Sequence, residues 1–178
     1  MRKAELTLCC FVLLGLVPSA RGDMVVQACF SPQGKCSAHI AREIEQAKKE
    51  LLVAVYAFTS EELASALVQA KKRGVAVQVI LDREFDAGNN NSKGKFLDAQ
   101  KIPVRRITGT KSGAPDKEAG LMHQKFAIID RKLVFTGSYN WTHSAENLND
   151  ENLLLFRDAG PLAEEYRKIF LQLWERKH

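Results

Sequence analysis

Apolar and polar positions along the chain sort into strands and helices. Residues 25–30 form a short apolar run closed by Ser31-Pro32, which predicts a first strand. Ser37 then stands as a helix N-cap, and Ile40, Ala41, Ile44, Ala47 and Leu51 follow at helical spacing. Residues 51–58 are almost continuously apolar, as in a strand covered on both faces. Thr59 and Glu62 make a capping box ahead of a helix through Leu63, Ala66, Leu67 and Ala70, which Gly74 ends. Residues 75–81 are another buried strand, ending at Asp82, which reads as the cap of the next turn. Alternating strands and helices are the grammar of a parallel sheet with crossover helices.

The pattern weakens over residues 83–101, with a loop at 88–92 and one helical turn around Phe96-Leu97. Residues 104–107 read as a short strand carrying Arg105 and Arg106. Residues 108–120 are polar and read as a mobile loop, with Lys111 and Lys117 as candidate phosphate contacts. A strand over 123–129, a polar break at Arg131-Lys132 and a return strand at 133–135 follow. A strand at 152–156 leads to a final helix, with Asp158 as its cap and Pro161 in its first turn. Leu162, Tyr166, Ile169, Phe170, Leu173 and Trp174 give that helix a broad apolar stripe. The elements together predict an α/β fold, with a mixed, largely parallel sheet and helices on both faces.

The first 20 residues stand apart. Arg2 and Lys3 precede a twelve-residue run, 6–17, that is apolar but for Thr7 and Gly15, and Ala20 closes the segment. This is the pattern of a cleaved signal peptide, shorter than the roughly 20 apolar residues a membrane span wants. A retained anchor is the alternative. The expected product is one domain, residues 21–178, exported to the periplasm or secreted. Without Arg2, Lys3 and Glu5 the formal charge falls from +5 to +4. That balance suits a polyanionic partner without demanding one. In an exported protein, Cys29 and Cys36 read as a local disulfide. With His39 they make only three ligands, a poor zinc site.

The chemistry concentrates between residues 121 and 152. His123 and Lys125 project from one side of a strand, about 7 Å apart. Gly137, Ser138 and Asn140 sit just past the return strand. An imidazole, a fixed cation and neutral donors suit a phosphate. Cleaving a phosphodiester needs a nucleophile, charge neutralisation and a proton for the leaving oxygen. Neutral imidazole serves as the nucleophile at physiological pH. Glu151, eleven residues after Asn140, is the natural carboxylate to orient it. A second histidine to act as the acid is missing. His143 is the only other one near the motif, and Trp141 and Phe126 read as core.

The spacing HxK(x)4D(x)6GSxN resembles the signature of the phospholipase D superfamily, and most of all its short, single-motif bacterial endonucleases. The resemblance extends to FSPQGKC, VAVYAFTSEELASAL and GSYNWTHSAENLNDEN. It implies a phospholipase D-like half-unit that dimerises, so that each chain gives a His123 to a shared site. It implies a phosphohistidine intermediate, no cofactor and no metal. Lys125 and Asn140 carry over as phosphate ligands, Ser138 as a supporting donor and Glu151 as the histidine's partner. Asp130 and Gly137 carry over as structural motif positions. The expected activity is a non-specific endonuclease acting on DNA or RNA. The alternatives are a phospholipase D-type enzyme acting on membrane lipid and a non-catalytic nucleic-acid-binding module.

Overall fold

Alternation along the strands places the apolar side chains on two faces. The computed structural model describes residues 23–110 and 120–176. In β2 (Glu50–Val55), Leu51, Val53 and Val55 face one core, while Leu52 and Ala54 face the other. In β5 (Lys125–Ile129), Ala127 and Ile129 join the first core, and Phe126 and Ile128 the second. β6 (Leu133–Gly137) divides in the same way, with Leu133 and Phe135 opposite Val134. Strands apolar on both faces must be covered on both faces. α1 (Cys36–Gln46) and α2 (Glu61–Lys72) cover one side through Ile40, Ile44, Leu63 and Leu67. α6 (Gly160–Glu175) covers the other through Ala163, Phe170 and Leu173.

β1 (Val25–Ser31), β3 (Ala76–Asp82), β4 (Val104–Ile107) and β7 (Glu151–Arg157) complete a sheet in the order β1-β7-β6-β5-β2-β3-β4. The ladders β2–β3 and β3–β4 are parallel, and the other four are antiparallel. The sheet is therefore mixed, as expected. Its largely parallel character lies in strand direction, not in neighbour pairing: only β5 and β7 run against the other five. The tight turn after Asp130 permits only an antiparallel return, whereas the helical crossovers give parallel strands.

Several helix starts differ from expectation. Ser37 does not cap α1. The helix begins one residue earlier, after Lys35 in a left-handed conformation at φ 55°, and the Ser37 N–H donates to Glu146 Oε2 at 3.0 Å. Ser60, not Thr59, caps α2 by accepting from the Leu63 N–H at 3.3 Å. The N–H groups of Thr59 and Ser60 both donate to the Trp141 carbonyl at 2.9 Å. Asp158 does not cap α6: Ala159 holds that position, and Asp158 is left-handed at φ 53°. The segment read as irregular contains two short helices, α3 (Arg83–Gly88) and α4 (Gly94–Ala99). Asp86, largely buried between them, accepts from Ser92 Oγ and from Arg106 Nε and so folds the segment on itself. A fifth helix, α5 (His143–Asn147), follows β6. Lys111 and Lys117 lie outside the described residues, as does the segment 1–20 read as a signal peptide. No helix among the described residues is long and apolar enough to cross a membrane.

Candidate active site

The neighbouring strands β5, β6 and β7 deliver one cleft. Antiparallel order brings the start of β5, the end of β6 and the start of β7 to the same edge of the sheet. His123, Lys125, Gly137, Ser138, Asn140 and Glu151 there line an open hollow of about 390 Å3. All six positions singled out as HxK, GSxN and the following carboxylate meet, from three separate stretches of chain.

His123 is not in the strand, which begins at Lys125. It lies on an extended lead-in held at both ends. The Met122 N–H donates to Asp82 Oδ2 at 2.9 Å, and the Tyr56 N–H donates to the Gln124 carbonyl at 2.8 Å. The exposed imidazole rests against the Tyr56 ring, with centroids 4.8 Å apart and planes tilted by 58°. The Lys125 ammonium sits 5.2 Å from the centre of the same ring and donates to the His123 carbonyl at 3.0 Å. One aromatic ring thus braces both the imidazole and the cation. Phe85, with its centroid 5.3 Å away, backs that ring. Burial pushes the Lys125 pKa down, and the opposing charge of Glu151 only partly restores it.

The acceptor side is equally fixed. Asn140 Oδ1 accepts from the Ala57 N–H at 3.3 Å, which commits the oxygen and leaves the amide NH2 to donate. Ser138 Oγ accepts from Asn152 N at 3.0 Å and Nδ2 at 3.3 Å, so its own proton remains for an oxygen in the cleft. Gly137 stands at φ 148°, and a Cβ there would meet the Asn152 backbone. Glu151 Oε1 accepts from Asn149 Nδ2 at 3.1 Å. Among the described residues no hydrogen bond joins Glu151 to His123. Asn149, two residues away, captures the carboxylate first.

Tyr139, between Ser138 and Asn140, points into the core. Its hydroxyl donates to Glu146 Oε2 at 2.5 Å, the same oxygen that receives the Ser37 N–H. Burial and the Glu146 charge push the phenol pKa far up, which keeps the donor proton in place. Neither Tyr139 nor Glu146 stood out in the sequence: the two are seven residues apart, and the contact that ties them to α1, Ser37 to Glu146, spans 109 residues. Tyr56 was absorbed into the apolar run 51–58, and only the structure, in which β2 ends at Val55, sets it just past the carboxyl end of a strand.

The other candidates lie elsewhere. Asp130 faces away from the cleft. Its Oδ1 accepts from Lys49 N at 2.7 Å and Glu50 N at 2.9 Å, and its Oδ2 from Lys48 N at 2.8 Å. Burial alone would raise its pKa, but those three N–H groups and the Lys49 charge outweigh it and hold the carboxyl below its ordinary value. His143 lies on α5, with Nδ1 beside Asn147 Nδ2 at 3.1 Å, and does not line the cleft. Trp141 and Phe126 are buried, Trp141 edge-on to Phe58. Cys29 and Cys36 are joined as a disulfide with Cα atoms 5.8 Å apart, so their sulfurs are closed to a metal. Among the described residues no three His, Cys, Asp or Glu side chains cluster as a ligand set.

The family described as "Cardiolipin synthase, PLD-like domain" matches residues 40–174. NucT from Helicobacter pylori superposes with a TM-score of 0.78 at 30% identity, covering 86% of this chain and 97% of that chain. Nuc from Salmonella typhimurium, a phospholipase D family member, gives 0.74 at 30% identity, covering 88% of this chain and 97% of that chain. A "Phospholipase D" of Rickettsia felis is 36% identical over 149 residues, 84% of this chain and 67% of that protein. A paired imidazole and ammonium facing neutral donors, at the edge of a mixed sheet, define a phosphodiesterase. The chain belongs to the phospholipase D superfamily.

Proposed function

We propose that this chain is a metal-independent endonuclease that cleaves DNA or RNA through a covalent phosphohistidine. The observation that carries the reading is the cleft itself, with His123, Lys125, Ser138 and Asn140 around one hollow. In the first step an imidazole nitrogen of His123 attacks phosphorus, and the P–O bond to the leaving group breaks. Lys125, Asn140 and Ser138 hold the non-bridging oxygens as charge gathers on them. The leaving oxygen takes a proton from a second imidazole. That imidazole then accepts a proton from water, which attacks the phosphohistidine and frees His123. Glu151 supports the cleft electrostatically through Lys125.

The second imidazole is the partner's His123 in a symmetric homodimer, because no other histidine among the described residues lines the cleft. Exposed apolar residues beside the cleft support that pairing. Phe30, opposite Asn152 in the β1–β7 ladder, is 65% exposed, and Leu148 is 70% exposed. A nucleic-acid substrate is supported by the net charge of +5 and by near-complete coverage of the short Nuc and NucT chains. The signal-like segment and the Cys29–Cys36 pair support export.

A second reading, a lipid phosphodiesterase, is supported by the Rickettsia relative named phospholipase D and by the cardiolipin synthase description of the family. One preparation, assayed with excess chelator for plasmid nicking and for headgroup release from phospholipid vesicles, separates the two. Nicking without headgroup release is expected. Headgroup release without nicking overturns the nuclease reading, and loss of all activity with chelator overturns metal independence.

A further inference from the structure

A second, smaller hollow of about 140 Å3 adjoins the cleft. Of the residues lining the two, His123 alone is common. Buried Met122 and Leu173 form apolar walls of this hollow. Thr110 and Gln124 add a hydroxyl and an amide, and Arg176 supplies a guanidinium.

Arg176 is fixed in place. Its Nη1 donates to the Thr108 carbonyl at 2.9 Å, and its own carbonyl accepts from Arg105 Nη2 at 2.7 Å. The guanidinium has five N–H donors and spends one on Thr108. No carboxylate pairs with it among the described residues. Arg105, on the Arg176 carbonyl, adds a second positive charge, and its Nε is buried without a partner among the described residues. A held guanidinium with no carboxylate on it among the described residues can recognise a phosphate through two parallel N–H groups.

The size of the hollow narrows the occupant. It is well short of the roughly 300 Å3 at which ordinary ligand pockets begin. It suits one phosphate with part of its sugar, at the end of a molecule that extends from elsewhere. Because His123 lies in both hollows, the molecule already seated at His123 is the one that reaches Arg176. We propose that the Arg176 hollow is a second-phosphate subsite, taking the phosphodiester next to the scissile one in a polynucleotide strand. The proposal rests on the nuclease reading and deepens it. Met122 and Leu173 then offer their apolar surface to the intervening sugar, and Thr110 and Gln124 offer hydrogen bonds to its oxygens. A substrate with one phosphate leaves the hollow empty.

The test compares a trinucleotide, which has two phosphodiesters, with bis(p-nitrophenyl) phosphate, which has one. The readout is the ratio of their kcat/KM values in wild type, Arg176→Ala and Arg176→Lys. The ratio should fall about tenfold or more in Arg176→Ala, as for a lost charge-assisted hydrogen-bond pair. Arg176→Lys should recover part of it through charge without the fork. Turnover of the single-phosphate ester also reports that each variant is folded. A ratio unchanged in Arg176→Ala, whether both rates fall together or neither does, overturns the subsite and leaves the nuclease reading standing. A wild-type chain that cleaves the ester but no oligonucleotide overturns the nuclease reading and the subsite with it.

Discussion

Asp82 Oδ2 accepts the Met122 N–H at 2.9 Å, and Met122 is the residue before His123. The other oxygen, Oδ1, caps α3 by accepting from the Phe85 N–H at 2.9 Å. One fully buried carboxylate therefore ties the end of β3 to the lead-in of the catalytic strand. Asp82→Ala should cost about 2–4 kcal/mol, combining a lost cap with an unpaired buried N–H. Urea unfolding measures this. Asp82→Asn keeps one acceptor and should fall between the two. At a temperature where it is folded, it should lose turnover more than it raises KM. A wild-type kcat in Asp82→Asn would show that the Met122 contact does not position His123.

The Tyr56 ring, not its hydroxyl, meets the imidazole and the ammonium. Tyr56→Phe should therefore stay within about twofold of wild-type turnover. Tyr56→Ala removes a ring contact from two groups at once and should lose about tenfold or more. Equal losses in the two variants would place the effect in the hydroxyl instead.

The Asp130 contribution to stability depends on pH. Its folded pKa lies below the unfolded value, so the stabilisation is complete above an unfolded pKa of about 4. It is lost as pH falls through the folded value. Asp130→Asn, which can offer only one oxygen to three N–H groups, should cost roughly 1–3 kcal/mol near pH 7, toward the low end because the site is only partly buried. The gap between the two proteins in urea unfolding should narrow as the pH drops below 4. A constant gap down to pH 2 would assign the effect to shape rather than charge.

Much of this architecture was legible because it depends on period. β2, β3 and β5 alternate toward two cores, and their apolar runs announce it. The cleft was legible as a spacing, since antiparallel β5, β6 and β7 bring three short stretches to one edge. What escaped was set by distant partners. The first turn of α1 is satisfied by Glu146, 109 residues away, so Ser37 looked like a cap without being one. Asp82 as the cap of a following turn and the helical turn at Phe96-Leu97 were legible, but the length of α3 and the role of Asp86 in folding the segment on itself were not. Tyr56 and Arg176 gain meaning only from the side chains and backbone that folding places beside them.

Lys125 and Glu151 are coupled by charge. Burial lowers the Lys125 pKa, and the Glu151 carboxylate pushes the other way. The phosphate cradle needs the ammonium form, so kcat/KM should fall on the alkaline side as Lys125 loses its proton. Glu151→Gln removes the supporting charge and should move that limb to lower pH, apart from any change in maximal rate. Lys125→Arg keeps a charge at every accessible pH and should remove the limb from the profile. A limb unmoved in Glu151→Gln would mean that another group sets it.

The last prediction concerns the acid. One His123 lines the cleft, and His143 is held on α5 beside Asn147, outside it. Among the described residues, a single chain therefore presents a nucleophile and a phosphate cradle with no matched proton donor. In the proposed dimer, two chains facing each other across a two-fold axis would supply both imidazoles to one phosphorus. Mixing wild-type and His123→Ala chains carrying different tags, then isolating the mixed dimer, gives a shared site with one imidazole. Nucleophile and acid act as a unit, so activity should fall to nearly the level of the doubly substituted dimer. His123→Ala should also abolish the alkali-stable, acid-labile burst of labelled phosphoprotein expected when the wild-type reaction is quenched rapidly in base. A mixed dimer retaining about half of the wild-type rate would mean that each chain works alone. His143, or a group outside the described residues, would then have to carry the proton.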